Sequence, residues 1–207
     1  MSEITSEKNQ ESEPQTENMA ENVRGDWDKL RADCEACTAC ALHATRTHVV
    51  VGVGDVHSRV LFVGEAPGEQ EDLRGEPFVG RAGQLLDKLL IAADMPRPTV
   101  YIANSIKCRP PHNRDPLPEE QEACIGFLRR QLKLIEPKII VCLGRISAMR
   151  LIKPDFRITQ EHGQWFEKGG YLMMGIYHPA ALLRDPRRKP EALLDLLEVK
   201  RKVGEMG

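Results

Sequence analysis

The sequence predicts an α/β fold built around a mainly parallel β-sheet, and two features of its apolar pattern carry this prediction. Short continuous apolar runs alternate along the chain with segments in which apolar residues recur every three or four positions. The runs show no apolar–polar alternation, as expected of parallel strands that are buried on both faces. Strands that alternate with helices are typical of α/β proteins with a parallel sheet.

Four apolar runs are predicted strands. They comprise residues 59–63, 99–103, 138–143 and 171–177, of which the last is the longest. A shorter run at residues 49–51 is a candidate edge strand.

Helices are predicted between these runs. An apolar stripe within residues 82–93 repeats at steps of three and four, which indicates an amphipathic helix. A second helix begins at Pro118, followed by two acidic residues, and ends at Glu136, which precedes a proline. A short helix follows Gly144, and a final helix covers roughly residues 191–203.

Length and charge predict one domain with an acidic tail. The chain has 207 residues, of which 41% are apolar and 29% charged, as in globular proteins. Residues 1–26 contain seven acidic and two basic side chains, so they carry −5 and the remainder +3, against a formal net charge of −2. Residues 1–25 contain almost nothing to bury, so we predict that they are disordered and that residues 26–207 form a single domain.

The sequence further predicts a cytoplasmic monomer with reduced thiols. It has no run of 18 apolar residues that would cross a membrane, and no apolar segment near its N-terminus that would direct secretion. Six cysteines in a reducing compartment favour a metal site or catalysis over disulfides. No heptad stripe or large surplus apolar face indicates an oligomer.

Polar side chains follow three of the predicted strands. Glu65, Asn104 and His178 each come directly after an apolar run or close to its end. The carboxyl ends of parallel strands share one edge of the sheet, where ligands bind in such folds. A carboxylate, an amide and an imidazole at that edge suit hydrogen-bond recognition combined with acid–base or electrostatic chemistry. The loop at residues 64–68 matches neither nucleoside triphosphate nor dinucleotide motifs.

Five of the six cysteines are spaced as candidate metal ligands. Cys34, Cys37 and Cys40 lie close together, and Cys108 and Cys124 follow much later in the chain. Four thiolates drawn from such a set suit either tetrahedral zinc or an iron–sulfur cluster, and the spacing favours neither. The sixth, Cys142, lies within an apolar strand and is most simply a small buried side chain.

Several motifs together resemble the family 4 uracil-DNA glycosylases, the iron–sulfur branch of the uracil-DNA glycosylase superfamily. The matching segments are residues 37–42 (CTACAL), 62–69 (FVGEAPGE), 75–87 (GEPFVGRAGQLLD), 104–116 (NSIKCRPPHNRDP), 142–144 (CLG) and 178–184 (HPAALLR). The resemblance covers the chain from about residue 37 to residue 200. It implies a three-layer α/β/α fold around a central, mainly parallel four-stranded sheet. It also implies an enzyme that flips deoxyuridine out of DNA and hydrolyses its N-glycosidic bond, leaving an abasic site.

The resemblance implies a role for particular residues. A [4Fe-4S] cluster, with zinc as the alternative, is expected on Cys37, Cys40, Cys108 and Cys124. Uracil is expected to contact Glu65, Ala66, Phe78, Asn104 and His178, with Glu65, His178 and Glu71 as the catalytic candidates. DNA contacts are expected from Arg81, Lys107, Arg109, Leu183 and Arg184, with Leu182 as a second candidate wedge in the minor groove.

The expected partner is uracil-containing DNA, single- or double-stranded, and no membrane. Two other classes stay open at this point. One is a relative in the same superfamily with a shifted base specificity, and the other is a non-catalytic iron–sulfur module that binds DNA.

Overall fold

A computed structural model describes the backbone of residues 14–206 and the side chains from residue 24 onward. The predicted disordered tail and the first helix overlap in residues 14–25, which the structure makes helical. The same helix continues through Trp27, Leu30 and Cys34, which recur at helical spacing and pack into the core. Residues 1–13 of the predicted tail lie outside the described residues, and the boundaries of the single domain stay a prediction.

The described residues form α-helices and β-strands in alternation along much of the chain. The helices are α1 (Pro14–Glu35), α2 (Glu69–Arg74), α3 (Arg81–Ala92), α4 (Pro118–Ile135), α5 (Arg145–Leu151), α6 (Ile158–Glu161), α7 (Pro179–Arg184) and α8 (Lys189–Glu205). The strands are β1 (Val53–Gly54), β2 (Val60–Gly64), β3 (Tyr101–Asn104), β4 (Ile139–Leu143), β5 (Trp165–Lys168) and β6 (Tyr171–Ile176). Within residues 14–206, no helix is both long and apolar enough to span a bilayer.

In the described part of the chain, the sheet has six strands in the order β1-β3-β2-β4-β6-β5. The four central strands are parallel and correspond to the four predicted runs. The predicted number of four is wrong because β1 and β5 pair antiparallel at the two edges. The edge strand next to β3 is residues 53–54 rather than the predicted 49–51, and β5 has the half-exposed side chains of an edge.

Successive residues of the central strands point to opposite faces and build two cores. Phe62, Val141 and Met174 pack against α3, α7 and α8 on one face. Leu61 and Ile140 pack against α1, α4 and α5 on the other. The predicted three-layer α/β/α arrangement is therefore confirmed, and burial of the strands on both faces explains their continuous apolar sequences.

Candidate active site and cysteine pocket

The parallel strands deliver the predicted polar residues to one cleft. Glu65 follows β2, Asn104 ends β3, and His178 follows β6, and all three line the same cleft at the carboxyl ends of the strands. Phe78 and Glu71 line it from the connection between β2 and α3. The topology of the sheet, rather than proximity in the chain, therefore assembles this site.

One part of the cleft, here called the base slot, is formed by Gly64, Phe78, Asn104 and His178. A Cβ atom on Gly64 would lie 2.3 Å from Oδ1 of Asn104 and 2.7 Å from Cζ of Phe78, so only glycine leaves both side chains in place. Asn104 is 1% exposed, and its Oδ1 has no hydrogen-bond partner among the described residues. A buried acceptor without a donor is costly, which indicates a ligand that brings an N–H group.

Phe78 is held in an unusual backbone conformation. Its φ is 55°, in the left-handed region that side chains with a Cβ seldom adopt. Oε1 of Glu71 accepts hydrogen bonds from the amides of Val79 (2.9 Å) and Gly80 (2.8 Å), immediately after Phe78. Nη2 of Arg97 donates to the carbonyl of Phe78 at 2.6 Å. These contacts on both sides of the residue fix its ring beside His178, at 5.7 Å between ring centroids.

His178 is arranged to donate a hydrogen bond from a neutral ring. It precedes α7, and its Nδ1 accepts the backbone N–H of Ala180 at 3.1 Å. An accepting Nδ1 carries no proton, so the proton of the neutral ring is on Nε2. The pKa of His178 is lowered to about 4. Burial is the largest cause, the charge of Arg184 acts in the same direction, and Glu71 opposes the shift.

Glu65 has a raised affinity for its proton. The pKa of its carboxyl is raised to about 7. Burial is the largest cause, the charge of Asp115 acts in the same direction, and Arg145 opposes the shift. The carbonyl of Glu65 accepts from the hydroxyl of Ser105 at 2.7 Å and from the amide of Ile106 at 3.1 Å. The carboxyl therefore stands on a main chain that is fixed to the segment after β3.

A second, mainly apolar pocket, here called the cysteine pocket, contains five thiols: Cys34, Cys37, Cys40, Cys108 and Cys124. All five are free, and Leu42, Ile106 and Phe127 line the space between them. Nη1 of Arg46 lies 3.4 Å from Sγ of Cys108, and the amide of Lys107 lies 3.3 Å from Sγ of Cys124.

This donor set fits a thiolate-bound metal centre, since N–H groups that point at sulfur stabilise its negative charge. Among residues 14–206, no three His, Cys, Asp or Glu side chains are grouped as a single metal-ion site. Burial raises the pKa of Cys34 to about 12, and this residue also packs with Trp27 and Leu30 in the core. Cys142 is fully buried in β4.

Comparison with known proteins decides the family. A model of the uracil DNA glycosylase superfamily matches residues 51–198. The chain belongs to this superfamily. It is 44% identical to a type-4 uracil-DNA glycosylase of Archaeoglobus fulgidus over 86% of this chain and 92% of that protein. It is 48% identical to the type-4 enzyme of Thermotoga maritima over 72% and 79%, and 33% identical to a type-5 enzyme of Thermus thermophilus over 75% and 80%. The resemblance to family 4 is confirmed.

The basic residues predicted to contact DNA fall into different environments in this superfamily member. Arg81 and Arg184 are exposed and line the cleft. Arg109 is half-buried, and its Nε donates to Oδ1 of Asn113 at 2.8 Å, next to the cleft. Leu183 is partly exposed on α7, whereas Leu182 is 1% exposed in the core, so Leu183 is the accessible one of the two candidate wedges.

The prediction that Lys107 contacts DNA is wrong. Its side chain is 1% exposed, and Nζ donates to the carbonyl of Asn104 at 2.8 Å and to Oε1 of Gln131 at 2.6 Å. Burial lowers the pKa of Lys107 to about 8. A phosphate cannot reach an ammonium enclosed between β3 and α4.

Sequence reasoning missed the residues that support the site from behind. Arg97 holds the loop of Phe78, Arg46 contacts the cysteine pocket, and Gln131 receives Lys107. Arg145, at the start of α5, lines the cleft. Charged residues in loops and a glutamine in a helix carry no local signal for such contacts; only the position of Arg145 just after β4 and Gly144 pointed to the edge where ligands bind.

Proposed function

We propose that this chain is a DNA repair glycosylase that flips deoxyuridine out of DNA and hydrolyses its N-glycosidic bond. The products are free uracil and an abasic site. The observation that carries the proposal is the base slot. There, a buried amide oxygen that finds no donor among residues 24–206 lies beside an aromatic ring and a neutral histidine. We place the reaction in this cleft. A base in duplex DNA can enter it only after the nucleotide has flipped out of the stacked base pairs.

The base slot reads the edge of the flipped pyrimidine. The ring of Phe78 provides a surface for stacking, which contributes about 1–3 kcal/mol per base. The free Oδ1 of Asn104 accepts from N3–H of uracil, and the amide nitrogen then donates to O4. Cytosine presents an acceptor at N3 and a donor at C4, so it would leave buried polar groups unpaired and is rejected.

His178 stabilises the leaving group. When the C1′–N1 bond breaks, its electron pair remains on uracil, and negative charge collects near O2. Nε2–H of the neutral His178 is the donor for this oxygen, and the amides of Glu65 and Ala66 add to the same stabilisation. A neutral donor suits this role because burial keeps His178 unprotonated near neutral pH.

Glu65 is the carboxylate for the sugar side of the reaction. Once ionised, it stabilises the positive charge that develops on the sugar and orients the attacking water. Glu71 is better placed as a positioning residue, since one of its carboxylate oxygens holds two amides next to Phe78.

The cysteine pocket is proposed to bind a [4Fe-4S] cluster through Cys37, Cys40, Cys108 and Cys124, with zinc as the alternative. When bound, the cluster supplies a cross-link between chain segments rather than a redox step. The four thiols come from two distant parts of the chain, so their ligation fixes the loop that carries Arg109. Iron and sulfide analysis, together with visible absorption, distinguishes the cluster from zinc.

Arg81, Arg109 and Arg184 are proposed to contact phosphates around the cleft, and Leu183 to fill the stack that the flipped nucleotide leaves. Both single- and double-stranded uracil DNA are proposed as substrates. We further propose that the protein is a cytoplasmic monomer; the six unpaired cysteines of the described residues favour a reducing compartment.

The test uses the purified protein and an oligonucleotide with a single uracil, in the presence of a chelator, followed by alkaline cleavage at abasic sites. The wild-type chain is expected to yield cleaved product, and Asn104→Asp and His178→Ala to yield far less with unchanged circular dichroism. His57→Ala is the matched control, because His57 is exposed and precedes β2. It therefore lies at the amino-terminal ends of the parallel strands, away from the cleft. Cleavage at hypoxanthine but not at uracil indicates a shifted base specificity. DNA binding without cleavage indicates a non-catalytic module.

A further inference from the structure

Lys107 is a buried cation enclosed between the base slot and the cysteine pocket. Its ammonium donates to the main-chain carbonyl of Asn104 and to Oε1 of Gln131, and both acceptors are neutral. Among the described residues, Lys107 forms no ion pair with a carboxylate, and the ionisable groups that face it are the thiols of Cys34 and Cys124 in the cysteine pocket. A buried ammonium costs free energy even when it is hydrogen-bonded, so a simple packing role would be better served by an apolar side chain.

The acceptor Gln131 is itself fixed. It is fully buried on α4, and its Nε2 donates to the carbonyl of Val51 at 2.9 Å. The ammonium of Lys107 is thereby tied to the rigid helix α4. It exerts that constraint on Asn104, whose carbonyl is the last of β3.

We propose that Lys107, held by Gln131, is a positioning residue for uracil recognition: it fixes the backbone of Asn104 so that the carboxamide faces the base slot. This inference rests on the proposed function and deepens it. It assigns part of the base specificity to a side chain that touches neither uracil nor DNA.

The geometry of the slot explains why such a constraint matters. Discrimination of uracil from cytosine depends on which atoms of the Asn104 amide face the base, and a misplacement of 1 Å near a reacting group costs about 100-fold in rate. The Oδ1 of Asn104 has no partner in the described part of the chain that would hold it before the base arrives. The hydrogen bond from Lys107 acts on the carbonyl of the same residue and adds to the restraint that pairing with Gly64 places on its main chain.

Three variants of the full-length, cluster-loaded protein test the inference. Lys107→Met removes the donor and retains the length of the side chain. Gln131→Met and Gln131→Glu both lose the amide that donates to Val51, but only Gln131→Glu keeps an acceptor for Lys107. Lys168→Met is the matched control, because Nζ of Lys168 also donates to a main-chain carbonyl, that of Ile152 at 2.9 Å, on the edge hairpin.

Three quantities are measured for each variant: the single-turnover excision rate at saturating enzyme, the inhibition constant of free uracil, and the dependence of DNA affinity on salt. Lys107→Met and Gln131→Met are expected to lose about tenfold or more in rate, as for a hydrogen bond to a charged group. Inhibition by free uracil should weaken in parallel, since it depends on Asn104 and not on phosphates. Gln131→Glu and Lys168→Met should keep wild-type values, and the salt dependence should not change in any variant.

Several results overturn the inference. One is wild-type excision and uracil inhibition in Lys107→Met. Another is a salt slope reduced by about one, which indicates a phosphate contact. Loss of the visible absorption in Lys107→Met makes the residue a support of the cysteine pocket instead. If Lys107→Met does not fold, the comparison of Gln131→Met with Gln131→Glu decides, and equal rates for these two refute the inference. A wild-type chain that leaves uracil in place refutes the proposed function itself.

Discussion

Substitution of Glu65 by glutamine gives a prediction whose size follows from its surroundings. In the folded chain, burial raises the pKa of this carboxyl from 4.5 to about 7. The folded state therefore holds a proton that the unfolded state has lost between these pH values. Stability falls as the pH rises through this range, because the folded state binds more protons than the unfolded state. At about 1.36 kcal/mol per pH unit, the full shift would cost about 3 kcal/mol above pH 7, and solvent screening of the partly exposed carboxyl reduces this cost to about 1–2 kcal/mol.

Glu65→Gln removes this cost because its amide is neutral at every pH. Relative to the wild type, we expect the variant to be more stable by about 0.5 kcal/mol at pH 5.5 and by about 1–2 kcal/mol at pH 8.5. For a chain of this length, the difference at pH 8.5 corresponds to a rise of about 2–8 °C in the melting temperature. Thermal unfolding of the cluster-loaded proteins, recorded at one scan rate and at both pH values, measures it.

Glu69→Gln is the matched control, since Glu69 lies four residues further along the chain, at the start of α2, and is exposed. It should leave the melting temperature unchanged at both pH values. An advantage of Glu65→Gln that is the same at pH 5.5 and pH 8.5 would refute the reasoning, because it would mean that the carboxyl does not titrate between them.

The same titration predicts the pH dependence of the reaction. Glu65 supports the cationic sugar only when it is ionised, so the single-turnover rate of the wild type should rise as the pH increases through about 7. The rate of Glu65→Gln should be lower and flat over this range. His178 contributes no second inflection above pH 5, since its pKa is about 4.

Three further substitutions test the slot and the DNA interface. Gly64→Ala places a Cβ 2.3 Å from Oδ1 of Asn104, and we expect a loss of about 100-fold in the single-turnover rate with unchanged circular dichroism. Leu183→Ala should slow excision from duplex DNA more than from single strands, because only a duplex leaves a vacated stack to fill. Arg184→Ala should reduce the slope of log affinity against log salt concentration by about one in a binding titration.

Each of these substitutions has a matched control. Gly126→Ala adds a Cβ that meets nothing within 4 Å, and Leu197→Ala removes a leucine that is 42% exposed on α8. Arg59→Ala removes an exposed arginine that directly precedes β2, at the amino-terminal ends of the parallel strands. A Gly64→Ala enzyme with wild-type activity, equal effects of Leu183→Ala on the two substrates, or an unchanged salt slope for Arg184→Ala would contradict the respective assignment.

The sequence was sufficient for the parts of the fold that rest on continuous burial. Strands covered on both faces must be apolar throughout, so β2, β3, β4 and β6 stand out as runs. Once these strands are parallel, their carboxyl ends coincide, and the meeting of Glu65, Asn104 and His178 follows from topology. The edge strand β5 escaped because one side of an edge is open to solvent, so its sequence needs no such run.

Burial of charged residues was not predictable because it depends on distant partners. The basic stretch that begins at Lys107 favours a position on the surface. The ammonium can be buried because Gln131 of α4 accepts a hydrogen bond from it, and the local sequence does not indicate this contact. Leu182 and Leu183 are adjacent and chemically identical, yet only Leu182 points into the core. In a helix of only six residues, packing decides which side chains face the core. The segment is too short to show a periodic apolar pattern from which that face could be predicted.

The five residues from Asn104 to Cys108 connect the base slot to the cysteine pocket in a way that makes the two interdependent. Main-chain pairing continues past the end of β3, since the amides of Ser105 and Ile106 donate to the carbonyls of Gly64 and Glu65 at 2.9 and 3.1 Å. A displacement of this segment therefore moves both the amide of Asn104, which we propose reads uracil, and the loop that carries the carboxylate of Glu65. Because Cys108 ends the segment, we expect a group bound in the cysteine pocket to restrain this segment from its other end.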